Sequence, residues 1–245
     1  MTAKITLLGT GTCQLQTHRA GSSVLVELED LLFVYDTGRG ISLRLVEKGI
    51  RQDDLQHIVL SHFHPDHISD LIPLLHASCW SRTDPRTKDL HIYGPIGLEV
   101  QLMRLLSLFG PDELKRDTFQ IHLHEVREEE FVIGKHRFAF VSLPPFNNKG
   151  LKFEVAGKRY AFTGDSNIHE QEIAFLSDVE MAIIDAGHPT DKEVVELASK
   201  TQVPKLVLSH LYRETDEKEI RQQASQSGYT GELIVGKDFM SFDIA

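Results

Sequence analysis

Ser61-His62-Phe63-His64-Pro65-Asp66-His67 puts three imidazoles and a carboxylate within six residues. The apolar run Ile58-Val59-Leu60 precedes it, and the apolar, helix-like stretch from Ile68 to Leu75 follows. A strand end, a tight turn and a helix start would bring all four polar side chains to one rim. That demand shapes the whole chain, because the rim must be the edge of a packed sheet. His62 and His64 point the same way from an extended segment, since side chains alternate along a strand. Pro65 bends the chain, so Asp66 and His67 can face a second ion beside the first. Neutral imidazole and ionised carboxylate are ligands for Zn(II), and also for Mn(II) or Fe(II). A His-rich surface turn is the plain alternative, but it leaves the position between two apolar elements unexplained.

The same event recurs. Strand-like runs end at Asp36, His62, Asp165, Asp185 and His210, each a metal-competent residue. Ligands gather at the carboxyl ends of strands in α/β sheets. Asp36 opens the turn Asp36-Thr37-Gly38-Arg39-Gly40, so it is expected to bond backbone amides of its own turn rather than an ion. Gly9-Thr10-Gly11-Thr12 follows a strand but lacks the Gly-Lys-Ser/Thr of a phosphate loop, and reads as a tight turn. His122-Leu123-His124 repeats the His-x-His spacing without a following Asp-His, and is expected to be one face of a solvated strand.

Periodicity predicts strands over Lys4–Leu8, Leu90–Tyr93, Thr118–Val126, Glu128–Ile133, Arg137–Leu143 and Glu232–Val235. It predicts hairpins over Ser23–Leu28 with Leu31–Asp36, and over Leu151–Val155 with Lys158–Thr163. Apolar strands are expected at Met181–Ile184 and Leu206–Leu208. Helices are expected over Ile41–Lys48, Leu98–Phe109 (stopped by Gly110-Pro111), Glu170–Leu176, Asp191–Lys200 and Asp216–Ser227. Each half runs through hairpin strands, helix, strand, helix and strand. That repetition implies an α/β chain of two facing sheets with helices outside. No linker or low-complexity run divides it, so residues 1–245 are expected to form one domain.

The net charge of -10 disfavours a broad footprint for nucleic acid or an anionic membrane. No run approaches the length of a membrane span. Cys13 and Cys79 are the two cysteines, too few for a disulfide framework or a Cys-type zinc site, and a reducing cytoplasm is the expected compartment. The chain enters its first strand without a charged leader and long apolar core, so no signal peptide is expected.

These residues resemble the metallo-β-lactamase superfamily. The likeness rests on His62, His64, Asp66 and His67 and extends over nearly the whole chain. Gly9-Thr10-Gly11-Thr12, Asp36-Thr37-Gly38 and Tyr93-Gly94-Pro95-Ile96-Gly97-Leu98 resemble the branch of tRNase Z-like endonucleases and phosphodiesterases. The turn Asp185-Ala186-Gly187-His188-Pro189 is similar to one in cyclic-phosphate phosphodiesterases of phosphonate metabolism. The resemblance implies an αββα sandwich of two mixed sheets with two divalent ions, zinc or manganese, at one edge. His62 and His64 would hold the first ion. Asp66, His67 and His210 would hold the second, and Asp165 would bridge them. It implies a metal-activated water as nucleophile, His188 as proton donor to the leaving oxygen and Asp185 as its orienting partner, with Asp66 serving the catalytic centre as well as the metal.

Two departures matter. The family supplies a further His to the first ion where this chain has Pro144-Pro145-Phe146-Asn147-Asn148. Asn147, Asn148 or water would take its place, and the first ion is expected to be weakly held or missing. The inserted basic arm with which tRNase Z grips tRNA has no counterpart, so a small or cyclic phosphodiester is expected rather than nucleic acid. A homodimer is the family's usual assembly. Three other readings stay open: a tRNase Z-type endoribonuclease, a lactone or thioester hydrolase, and a binding protein with a degraded first site.

Overall fold

A computed structural model describes residues 3–109, 116–127, 129–145, 147–212 and 214–244. The Gly110-Pro111 helix stop, the Glu128 strand start and Phe146 lie outside these residues. In chain order the elements begin β1 (Ala3–Gly9), β2 (Ser23–Glu27), β3 (Leu32–Tyr35), α1 (Ile41–Glu47), β4 (His57–Val59), α2 (Pro65–Ile68) and α3 (Leu71–Trp80). Then come β5 (Leu90–Gly94), α4 (Leu98–Ser107), β6 (Ile121–Glu125), β7 (Glu130–Ile133), β8 (His136–Leu143), β9 (Asn148–Val155) and β10 (Lys158–Phe162). The chain continues through α5 (Glu170–Phe175), β11 (Met181–Asp185), α6 (Asp191–Thr201), β12 (Lys205–Ser209), α7 (Glu217–Gln226), β13 (Glu232–Val235) and β14 (Ser241–Ile244).

The strands form two mixed sheets of seven, ordered β14-β1-β2-β3-β4-β5-β6 and β13-β12-β11-β10-β9-β8-β7. Each sheet is antiparallel in its hairpin part and parallel from β3 to β6 and from β10 to β13. Alternation along the apolar strands builds four layers. Phe33, Tyr35 and Val59 face the core between the sheets together with Phe138, Phe153, Phe162, Ile183 and Val207. Val34, Ile58 and Leu60 face α1, α3 and α4 instead. Ala182, Ile184, Leu206 and Leu208 face α5, α6 and α7. Strands covered on both faces read as continuous apolar runs, which is why β4, β11 and β12 were legible. The αββα sandwich implied by the resemblance is therefore present.

Several elements differ from the sequence reading. The stretch after the motif is two helices, with Ser69 and Asp70 between them. There Asp70 Oδ2 accepts bonds from Ser42 N at 2.8 Å and Ser42 Oγ at 2.7 Å. It satisfies a first-turn amide of α1, whose own N-cap is a glycine. Strand β9 starts at Asn148, before the expected Leu151. Strand β14 was not foreseen; it crosses back to pair with β1, a tertiary event that local pattern does not announce.

Candidate metal centre

Parallel pairing of β3 with β4, and of β10 with β11 and β12, aligns their carboxyl ends. Asp36, His62, Asp165 and His210, each within three residues of such an end, are all buried, as are Asp185 and His67. The loop from Asp36 clamps the motif. Thr37 N donates to His67 O at 2.7 Å, and Asp70 N donates to Thr37 O at 2.9 Å. Gly38 lies so close beneath it that a Cβ there would meet backbone of Asp66, Gly21 and Ser22 within 2.7 Å. Only glycine permits that approach.

The expectation that Asp36 bonds the amides of its own turn is corrected: among the described residues its carboxylate reaches across to the motif instead. Its Oδ1 accepts from Ser61 N at 2.7 Å, and its Oδ2 accepts from Ser61 Oγ at 2.8 Å and from His67 Nδ1 at 2.7 Å. A proton on His67 Nδ1 leaves the Nε2 lone pair to face inward. Asp185 plays the matching part on the second sheet. Its Oδ1 lies 3.3 Å from His210 Nδ1 and its Oδ2 lies 2.5 Å from His188 Nδ1.

Asp165 is the hub. Its Oδ1 lies 2.8 Å from His67 Nε2 and 3.3 Å from His210 Nε2. Its Oδ2 faces the other group, 3.5 Å from His62 Nε2 and 3.8 Å from His64 Nδ1. His210 Nε2 is also 3.4 Å from Asp66 Oδ2 and 3.4 Å from His67 Nε2. Ligand atoms around one tetrahedral zinc sit about 3.3 Å apart when each bond is about 2.0–2.1 Å. These separations fit, and the buried Asp165 Oδ1 receives no well-directed hydrogen bond among the described residues. His62, His64 and Asp165 form one group able to hold a cation, and Asp66, His67 and His210 another. Asp165, Asp185, His188 and His210 also converge.

The electrostatics agree. Burial opposes ionisation of Asp165, but His67 and His210 hold its pKa far below the ordinary range. Asp66 is likewise half-buried yet brought down to about 2 by His210 and His67. Burial works against charge on His210, but Asp185 and Asp165 raise its pKa to about 9. His67 is raised well above its ordinary value by Asp165 and Asp36, again against burial. Burial lowers His62. A cation entering this cluster must displace protons, so its affinity rises with pH. His188 is raised by its bond to Asp185.

Of the two asparagines considered for the first group, Asn147 is exposed and Asn148 is buried. Asn148 Nδ2 donates to Thr163 O at 2.7 Å, while its Oδ1 has no hydrogen-bond partner among the described residues and abuts Gly164. Sequence reasoning passed over two neighbours. Tyr212 stands edge-on to the rings of His188 and His210, with centroids at 5.9 and 5.6 Å. Its place two residues after His210 was the available signal. Glu172 is buried in α5, behind Ser166, with Oε2 lacking a hydrogen-bond partner among the described residues. Nothing in its amphipathic helix signalled that.

Burial, together with the charge of Asp185, raises Glu172 to about 8, against the nearby Ser166, which lowers it. In the unfolded chain it titrates near 4.5. Between these values the folded state holds a proton that the unfolded state has lost, so stability falls as pH rises. Glu172→Gln should abolish that dependence. Denaturant unfolding from pH 5 to 8 should show the parent losing stability relative to the variant by on the order of a few kcal/mol. Parallel stability curves would refute a protonated Glu172.

The chain belongs to the β-lactamase superfamily: its domain model, the beta-lactamase superfamily domain, matches residues 33–211. Ribonuclease Z of Mycobacterium sp. (strain KMS) is 32% identical over 177 residues, covering 66% of this chain and 61% of that protein. The chain thus spans about three fifths of the length of this curated relative. The metallo-β-lactamase fold protein YhfI from Bacillus subtilis superposes with a TM-score of 0.81 at 20% identity, covering 98% of both chains. A diphosphatase of the PhnP family gives 0.75 at 19% identity, covering 99% of this chain and 98% of that one. Both structural likenesses concern the fold.

Among the described residues no helix is long and apolar enough to cross a membrane.

Proposed function

We propose that this chain, as a single domain over residues 1–245, is a metal-dependent hydrolase acting on a small or cyclic phosphodiester. The observation that carries the reading is the split of Asp165, one oxygen toward His62 and His64 and the other toward His67 and His210. His62 and His64 would hold a first divalent ion, Asp66, His67 and His210 a second, with Asp165 shared. Zinc or manganese suits these donors. Such ions supply an activated water and polarise the phosphoryl oxygens. Pro144 stands where relatives are expected to offer another imidazole, so the first ion is the weaker one. His188 keeps its Nδ1 on Asp185 and offers a proton from Nε2 to the leaving oxygen, and its raised pKa keeps that proton available near neutral pH.

Substrate size is supported by a cleft of about 350 Å³ lined by Ile96, Arg127, Asn147 and Lys149. It adjoins the motif, because Lys149 N donates to Ser61 O at 3.0 Å. That volume suits a small ligand, and its two cationic side chains suit a phosphate. The ribonuclease Z relatives favour a second reading, cleavage of an RNA phosphodiester. The purified protein, supplied with Zn(II) or Mn(II), should be compared on an aryl phosphodiester, a cyclic nucleotide, a precursor tRNA, a lactone and a thioester, with bound metal measured alongside. Turnover of the small diesters without precursor processing is expected. Preference for lactone or thioester would overturn the proposal, and processing of the tRNA would establish the second reading. Less than one ion per chain with no turnover would make it a binding protein.

A further inference from the structure

Ser61 opens the motif and supplies no donor atom to either ligand group, yet it is fully buried between Asp36 and His62. Its Oγ lies 2.8 Å from Asp36 Oδ2 and 2.9 Å from His62 Nδ1. Its N donates to Asp36 Oδ1 at 2.7 Å, which pins the backbone beside the hydroxyl. The same Oδ2 also lies 2.7 Å from His67 Nδ1. Asp36 itself holds the left-handed backbone conformation, φ 63°, which is uphill for a residue with a Cβ. Three bonds to one buried carboxylate offset that strain.

We propose that Ser61 is a positioning residue that relays the charge of Asp36 to His62, so that a single carboxylate sets the donor nitrogen of one histidine in each ligand group. The protons allow one arrangement. A carboxylate only accepts, and a hydroxyl has one proton to give. The 2.8 Å contact with Asp36 takes that proton, so the 2.9 Å contact with His62 needs one from the ring. His62 therefore carries its proton on Nδ1 and its lone pair on Nε2, the atom 3.5 Å from Asp165 Oδ2. Asp36 acts on His67 directly and on His62 through one hydroxyl.

Carboxylates behind metal-binding imidazoles fix the tautomer and raise the basicity of the ring. In a buried chain of hydrogen bonds each bond polarises the next, so the hydroxyl passes that effect on. No solvent reaches Ser61 to stand in for it. The relay matters most in the first group, where Pro144 stands in place of a further imidazole and, of the two histidines, only His62 is buried. The consequence for metal rests on the two-ion reading proposed above; the proton positions do not, because the metal-free protein reports them.

On metal-free, full-length protein labelled with ¹⁵N-histidine, long-range ¹H–¹⁵N spectra at about pH 8 distinguish a protonated ring nitrogen from a bare one. Burial lowers the pKa of His62, so its ring is neutral there. The parent should show His62 protonated at Nδ1 and bare at Nε2. Asp36→Asn sets an amide N–H donor beside Ser61 Oγ, which then accepts and turns its own proton toward His62. The His62 pattern should reverse across the intervening hydroxyl. In the Ser61→Ala background, adding Asp36→Asn should leave the His62 pattern unmoved. A parent His62 protonated at Nε2, no reversal in Asp36→Asn, or a reversal that persists without the Ser61 hydroxyl would overturn the proposal, and the parent spectrum decides even where a variant fails to fold. Titration with ZnCl₂, followed at the same nitrogens, gives a second readout. Ser61→Ala should weaken binding at His62 Nε2 by about 10–100-fold and leave His67 Nε2 near the parent. Unchanged affinity at His62 in that variant would also overturn the proposal. A parent that takes up no Zn(II) at either histidine would sink the two-ion reading instead, with the relay still decided by the proton positions.

Discussion

Asp165→Ala is expected to strip the centre and silence it together. The carboxylate touches both ligand groups, so its loss removes an anionic donor from each and leaves the imidazoles of His62, His67 and His210 without the charge that gathers them. Bound metal, measured after gel filtration, should fall below one ion per chain. Turnover of an aryl phosphodiester should drop by at least about 10²–10³-fold, the scale for losing one preorganised electrostatic partner. His67 and His210 keep their contacts with Asp36 and Asp185, so the substitution leaves a small cavity beside imidazoles that are still held in place. Full activity in the variant would refute the shared role.

His188→Ala should separate binding from chemistry. His188 touches the centre through Asp185, whose other oxygen faces His210 Nδ1, and its own ring stacks on His210 at 5.2 Å. Removing it leaves the donors of both ligand groups in place, so metal content should stay within error of the parent. The rate should fall by about 10²–10⁴-fold, the usual worth of a general acid. The loss should shrink for a diester with a good leaving group such as nitrophenolate, which needs no proton. The alkaline limb of the pH–rate profile should vanish, the result expected of a proton donor whose pKa is raised by its bond to Asp185. An unchanged rate would reduce His188 to a turn residue that merely bonds Asp185.

Much of this was legible because the chemistry is written at strand ends. Buried parallel strands such as Ile58-Val59-Leu60 and Met181 to Ile184 are continuous apolar runs, and the residue that breaks each run marks the sheet edge. The motif keeps four polar groups contiguous, so register was not needed to gather them. Where register decides, sequence was silent. Asp36 reaches His67 only because β3 pairs in parallel with β4, and the short-range preference of aspartate for its own turn pointed elsewhere. His57, His91 and His122 are separated by whole βα units, and nothing in any one segment says that their rings stack, partly buried, where His122 and His124 were expected to be one face of a solvated strand. Glu172 looks like any charge on an amphipathic helix until α5 turns it beneath Ser166. Strand β14 exists because β1 offers an edge to it.

The two halves of the centre belong to different sheets. His62, His64, Asp66 and His67 follow β4, while Asp165 and His210 follow β10 and β12. Each sheet arrives with its own carboxylate anchor, Asp36 on one and Asp185 on the other. A cation bound between them is thus a cross-link across the sandwich, joining chain segments far apart in sequence much as a disulfide does. With such an ion, folding of the two halves and loading of the metal would become one cooperative event, and a chelator would act on the tertiary structure as well as on the chemistry.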